Sequence, residues 1–276
     1  MGRRLLSAVA TTGAVTGALA AGAALGGREV LRRQAAAARA VIGQPHGEQA
    51  PRADKTYKKR FGDPVELLLV GDSVAAGLGA EQPRETLGAR LAKGTGKRLQ
   101  RAVRLRTVAV VGAETSMLAD QLATLEPGYR PDVAVVVVGG NDVTHRVPVA
   151  ESARDLAAVV TTLQERGATV VVGTCPDLGA LTPVPQPLRA LGSRASRQLA
   201  AAQRAAVLPL GAYAVDLAAV VGPFFITNPD EMFSLDRFHP SALGYKRTAK
   251  ALLPSVLAAL GARDAVPFGH HAPESA

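Results

Sequence analysis

Four short polar blocks carry the residue types of nucleophilic catalysis. Gly71-Asp72-Ser73 follows an apolar run at 65–70, and Gly112 follows a Val-rich run. Gly139-Gly140-Asn141-Asp142 follows another Val-rich run, and Asp236-Arg237-Phe238-His239-Pro240 lies towards the C-terminus. A hydroxyl, an imidazole, a carboxylate and oxyanion donors are what acyl transfer needs, provided they converge. The three-residue step from Asp236 to His239 lets both share one short loop or helical turn. Each block also has a plainer reading. Ser is a favoured helix N-cap, so Ser73 could simply begin a helix. Asn141 could be a turn residue, and His239 a capping or core histidine. Partners elsewhere in the chain must decide.

Positioning these blocks falls to the elements between them. Strands are expected at 65–70, 104–111, 132–138, 168–172 and, more weakly, 211–217. Helices are expected near 86–93, 116–125, 150–166, 188–206 and 241–260, the last kinked or restarted at Pro254. Continuous Val-rich runs mark strands buried on both faces. Their alternation with helices implies right-handed crossovers and a parallel sheet. The expected fold class is therefore α/β. It is a three-layer α/β/α sandwich around a central parallel sheet of about five strands, flavodoxin-like in kind. Ligands of such sheets bind beyond the carboxyl ends of the strands, and the first three blocks sit there.

Together the four blocks resemble the SGNH hydrolases, or GDSL-type esterases, over about residues 64–260. All four stand in that family's order, and His239-Pro240-Ser241-Ala242-Leu243-Gly244-Tyr245 is similar to the stretch that usually follows its histidine. Val74 departs from the family's Leu, one apolar residue for another. The resemblance implies a serine hydrolase of carboxylic esters with short to medium acyl chains. It implies Ser73 as nucleophile, His239 as general base and acid, and Asp236 as the group that orients His239. The oxyanion hole would be the backbone N–H groups of Ser73 and Gly112 with the side-chain amide of Asn141. Asp72 and Asp142 are expected to hold local loops. The Gly-x-Ser-x-Gly elbow of the α/β-hydrolases is absent around Ser73. No metal or cofactor is expected. The alternative enzyme is a carbohydrate or cell-wall O-acetylesterase or acyltransferase. A non-catalytic binding domain is disfavoured by intact Ser73, Asn141, Asp236 and His239. The stretch from Cys175 to Leu178 and the loop with Phe224 and Phe225 are expected to border the pocket.

Composition sets outer limits. With 276 residues and 47% hydrophobic content, the chain can bury one sizeable core. The net charge is +9, but the basic residues are scattered and not interleaved with aromatics, so no nucleic-acid partner is expected. The single cysteine, Cys175, excludes an intrachain disulfide and reads as a small buried hydrophobe. Residues 5–27 are uncharged and follow Arg3-Arg4, which predicts a signal peptide or membrane anchor within 1–27. The enzyme is then expected outside the cytoplasm, secreted or membrane-anchored through residues 5–27, acting on a lipid or acylated cell-envelope ester. Residues 28–63 read as a linker, 64–262 as the hydrolase domain, and 263–276 as a disordered tail in which His270 and His271 are solvated.

Overall fold

The apolar runs at 67–71, 133–138 and 170–173 are fully buried because each forms an interior strand covered on both faces, whereas the run expected as a strand at 104–111 is strand only as far as Thr107, and Val110 beyond it is 48% exposed. A computed structural model of the chain describes residues 26–47 and 49–273. The strands in chain order are β1 (Thr56–Tyr57), β2 (Val65–Gly71), β3 (Val103–Thr107), β4 (Val133–Val137), β5 (Thr169–Gly173), β6 (Tyr213–Val215) and β7 (His270–His271). They form one sheet of order β1-β3-β2-β4-β5-β6-β7. The five strands from β3 to β6 are parallel, and short antiparallel strands close the two edges.

Helices cover both faces. They are α1 (26–42), α2 (Ser73–Ala76), α3 (Leu87–Leu99), α4 (Leu118–Ala123), α5 (Gly140–His145), α6 (Val149–Glu165), α7 (Leu188–Val207), α8 (Leu217–Val220), α9 (Gly222–Thr227), α10 (Pro229–Met232) and α11 (Ala242–Ala259). Alternation along β2 sends Leu67 and Leu69 to the layer of α3 and α11, with Leu91, Leu252 and Val256. Leu68 and Val70 face the layer of α4 and α6, with Leu118, Leu156 and Val160. In the parallel strands the chain begins centrally at β2, moves out to β3, and then crosses back to β4. The carboxyl ends of β2 and β4 therefore flank the point where the direction of winding reverses, the ligand position of such sheets.

Several expectations are corrected. Residues 28–63, expected as a linker, contain most of α1 and all of β1. The Ala-rich composition of α1 favours helix, and its inward stripe of Leu31, Ala35, Ala38 and Ile42 is too weakly apolar to stand out in the sequence. Gln34 ties α1 to the start of α7: its Nε2 donates to the Gln186 carbonyl, and its Oε1 accepts from Leu188 N. The tail is ordered as far as β7, which covers the open edge of β6, and His270 Nδ1 lies 2.8 Å from Ser255 Oγ. α11 runs unbroken through Pro254, held by the buried side chains of Leu252, Ser255 and Val256 on either side. Most of the predicted export segment, residues 5–25, lies outside the described residues. Among those described, no helix is long and apolar enough to cross a membrane.

Candidate active site

Ser73 is not the helix cap. That position belongs to Asp72, whose side chain accepts from Val74 N at 2.9 Å. Ser73 is the first residue of α2, and its Oγ lies 2.9 Å from His239 Nε2. The chain can turn here because Gly71 has φ +141°, and a Cβ on it would stand 1.9 Å from the Val137 carbonyl oxygen. The strand ends thus approach too closely for any other residue.

His239 and Asp236 share one tight loop, as their spacing predicted. The loop is closed by a bridge between Phe233 and Pro240 and by Ser234 N donating to the His239 carbonyl at 2.8 Å. His239 Nδ1 lies 2.6 Å from Asp236 Oδ2. Asp236 Oδ1 accepts from Ser234 Oγ, Phe238 N and His239 N, each at 2.9 Å. Burial alone would push the Asp236 carboxyl up. The hydrogen bonds from His239 and Phe238 outweigh that and hold it far below the ordinary carboxylate range. Asp236 is therefore an anion at any ordinary pH.

The other blocks reach the same place. Gly139 (φ +134°) turns the chain out of β4 against Cys175, and Asn141 follows in the first turn of α5. Its Nδ2 donates to the Ala113 carbonyl at 3.0 Å, which orients the amide and ties α5 to the Gly112 loop. Asn141 lines one cavity with Ser73 and His239. Gly112, at φ +84° with open space where a Cβ would stand, lines the adjoining groove with Asn141 and His239. Asp142 holds the loop after β3 by accepting from Thr115 N at 3.2 Å and Ser152 Oγ at 2.8 Å. Asp72 is buried, and that burial raises its carboxyl to about 6.

Two voids adjoin at His239 and Asn141, and Ser73 lines the smaller. The smaller, about 90 Å³, is walled by Leu178, Leu217, Val221, Phe225 and Phe233. The larger is a groove of about 1750 Å³ roofed by α1. Pro176, Asp177 and Leu178 border the small cavity, whereas Cys175 is buried behind them. Phe225 lines it and packs edge-on against Phe233 at 4.8 Å. Phe224 does not, and instead lies under the Arg247 guanidinium at 4.6 Å.

Sequence reasoning missed the residues that brace this site. Gln203, fully buried, donates to the Val138 carbonyl and accepts from Cys175 N, joining the ends of β4 and β5. Gln121 does the same for Gly71. Tyr245 OH donates to the Leu78 carbonyl at 2.6 Å, fixing the segment after α2 to α11. Only the burial of polar side chains reveals the two glutamines, and nothing local in the sequence marks it.

Residues 69–247 match the model of the GDSL-like lipase/acylhydrolase family. A GDSL-like esterase of Mycobacterium tuberculosis is 40% identical over 285 residues, covering 99% of this chain and 89% of that protein. Among solved structures, a psychrotrophic esterase from a Pseudoalteromonas species superposes with a TM-score of 0.56 at 19% identity, over 71% of this chain and 98% of the esterase. A lipase from a goat rumen metagenome gives a TM-score of 0.55 at 18% identity, over 71% and 97% of the two chains. At such identities the two structures speak for the fold alone, and that fold is the α/β sandwich described above. The chain belongs to the GDSL-like lipase/acylhydrolase family, enzymes of the ester-hydrolysing kind.

Proposed function

We propose that this protein is a serine esterase that hydrolyses carboxylic esters with short acyl chains through an acyl-enzyme on Ser73. The observation that carries the reading is the unbroken hydrogen-bonded chain from Ser73 Oγ through His239 to Asp236, at 2.9 and 2.6 Å. Ser73 Oγ attacks the ester carbonyl carbon while His239 Nε2 takes the hydroxyl proton. Asp236 accepts from Nδ1–H and stabilises the imidazolium that forms. The carbonyl oxygen, now an oxyanion, accepts from Ser73 N–H, which has no partner within its helix, from Gly112 N–H, and from the second N–H of the Asn141 amide. His239 returns the proton to the departing alkoxide. Water then repeats the sequence and releases the acid.

The two voids divide the substrate. The small cavity, about 90 Å³ and walled by apolar side chains, suits an acetyl to butyryl chain. The alcohol side lies in the groove, whose rim carries Arg28, Arg32, Arg39, Arg146 and Arg189. Apolar walls under a cationic rim favour a bulky alcohol with negative charge, such as a lipid or cell-envelope molecule. The same asymmetry of small acyl and large alcohol sites favours a second reading, an O-acetylesterase or acyltransferase on sugars or wall polymers. Either substrate agrees with a location outside the cytoplasm, for which residues 5–27 supply the export or anchoring segment.

The test is hydrolysis of p-nitrophenyl esters from acetate to palmitate by the parent and by Ser73→Ala. The parent should prefer acetate to butyrate, and Ser73→Ala should lose turnover on every ester. Full activity in Ser73→Ala would remove Ser73 from the chemistry.

A further inference from the structure

The hydrogen-bonded chain does not stop at Asp236. Ser234 Oγ, which donates to Asp236 Oδ1 at 2.9 Å, lies 3.0 Å from His46 Nε2. His46 is half-buried and stands upstream of the residues that match the family model. It sits in the turn after α1. Its partner packs closely against Gly79, where a Cβ would stand 2.9 Å from both Ser234 Oγ and His239 Cβ.

Ser234 has a single hydroxyl proton. With that proton on the bond to Asp236, the Ser234 oxygen offers only lone pairs to His46. His46 Nε2 must then carry the hydrogen and donate it. If Nε2 were the bare nitrogen, Ser234 would have to turn its proton to His46, and Asp236 would lose a donor. The direction of donation along His46, Ser234 and Asp236 is thus fixed at His46. A hydroxyl that accepts a hydrogen bond becomes the stronger donor, by about 10–30% per bond in condensed-phase estimates.

We propose that His46 is a positioning residue of the active site: by donating from Nε2 to Ser234 it sets the Ser234 proton on Asp236 and so steadies the carboxylate that orients His239. The proposal rests on the serine-esterase reading above. It also gives the segment 26–47 a second attachment beside that of Gln34, with one end of the groove's roof fastened to the triad loop. His46 lines the groove, but in this role it acts on the chemistry through Ser234 and Asp236.

The experiment compares full-length His46→Ala and His46→Gln with the parent. Glutamine keeps an N–H donor of similar reach, and alanine does not. The expected result for His46→Ala is a fall in kcat of about threefold with KM unchanged, consistent with the weakening of one charge-assisted bond. His46→Gln should recover most of it. A second readout is the downfield NMR resonance of the proton between His239 Nδ1 and Asp236 Oδ2. It should move downfield in His46→Ala, because a carboxylate that loses part of one donor accepts more strongly from His239, and return in His46→Gln. Unchanged kcat and resonance in His46→Ala would overturn the proposal, as would a His46→Gln variant no better than His46→Ala, which would mean packing alone. A parent inert on every ester would sink the esterase reading instead, while the resonance would still report on the link from His46 to Asp236.

Discussion

The side-chain amide of Gln121 acts as a strand partner for Gly71. Its Oε1 accepts from Gly71 N at 3.0 Å, and its Nε2 donates to the Gly71 carbonyl at 2.8 Å. The pair is buried and lies 50 residues apart in sequence. It extends the hydrogen bonding of β2 by one rung, immediately before Asp72 and Ser73 leave the sheet. Ser73 therefore leaves the sheet from a strand end pinned by both hydrogen bonds of the Gln121 amide.

Gln121→Ala should expose how much that rung contributes. The Gly71 carbonyl keeps Val110 N as a partner, but the Gly71 N–H would be buried alone. One such orphan costs about 1–3 kcal/mol. The urea midpoint should fall by that amount with an unchanged m-value. A variant as stable as the parent would mean that water replaces the amide at no cost.

Two glycines at the site should respond differently to a methyl group. At Gly71 a Cβ would collide with the Val137 carbonyl, so Gly71→Ala should fail to give soluble folded protein. At Gly112 nothing stands within 4 Å, so Gly112→Ala bears only the left-handed backbone cost of about 1–2 kcal/mol. It should fold and lose turnover, because the new Cβ faces the groove in which substrate must approach the N–H. Expression level and circular dichroism decide the first case. Kinetics on p-nitrophenyl acetate decide the second, and an unimpaired Gly112→Ala would remove that residue from the oxyanion hole.

Asn141→Ala should leave the fold intact and lower kcat by about 100- to 1,000-fold, the usual loss for one oxyanion donor. In the proposed oxyanion role the amide acts only as charge develops on the carbonyl oxygen, so the effect should fall on kcat and kcat/KM alike. A rise in KM with unchanged kcat would make Asn141 a ground-state contact instead.

Asp72 sets a pH dependence of stability. Burial raises its carboxyl to about 6 in the folded chain, against about 3.9 when unfolded. Between those values the folded state holds the extra proton, so stability falls as pH rises through about 4 to 6. At about 1.4 kcal/mol per unit, the loss by neutral pH is on the order of 2–3 kcal/mol. Asp72→Asn keeps an acceptor for Val74 N and removes the buried charge. It should melt higher than the parent at pH 8 and about equally at pH 4. Equal gains at both pH values would assign the change to packing.

What the sequence disclosed, and what it withheld, follows from the range of each interaction. The strand ends after β2 and β4 are legible because Val-rich runs stop at glycine within one segment. The Asp236–His239 contact is legible because it spans three residues. The reading of Ser73 as a possible cap erred by one position, because Asp72 caps the same turn. Gln121, Gln203 and His46 act over 50, 65 and 188 residues, and no local pattern encodes such a pairing. α1 escaped notice because its inner stripe is largely alanine, and its docking depends on Gln34 finding the start of α7.

Leu181 stands between the small cavity, proposed above to hold the acyl chain, and the groove under α1, since it lines both. It is buried in the same cluster as Phe225 and Leu217. Leu181→Ala should join the two spaces at a cost of about 2–5 kcal/mol in stability. The preferred p-nitrophenyl ester should then move from acetate or butyrate towards hexanoate and octanoate, because a longer chain can run through the gap. The short esters should weaken, as their acyl groups lose a wall. A profile that falls uniformly at every chain length, with the optimum unmoved, would show that the acyl chain does not lie in the small cavity and that the division of the substrate between the two voids is wrong.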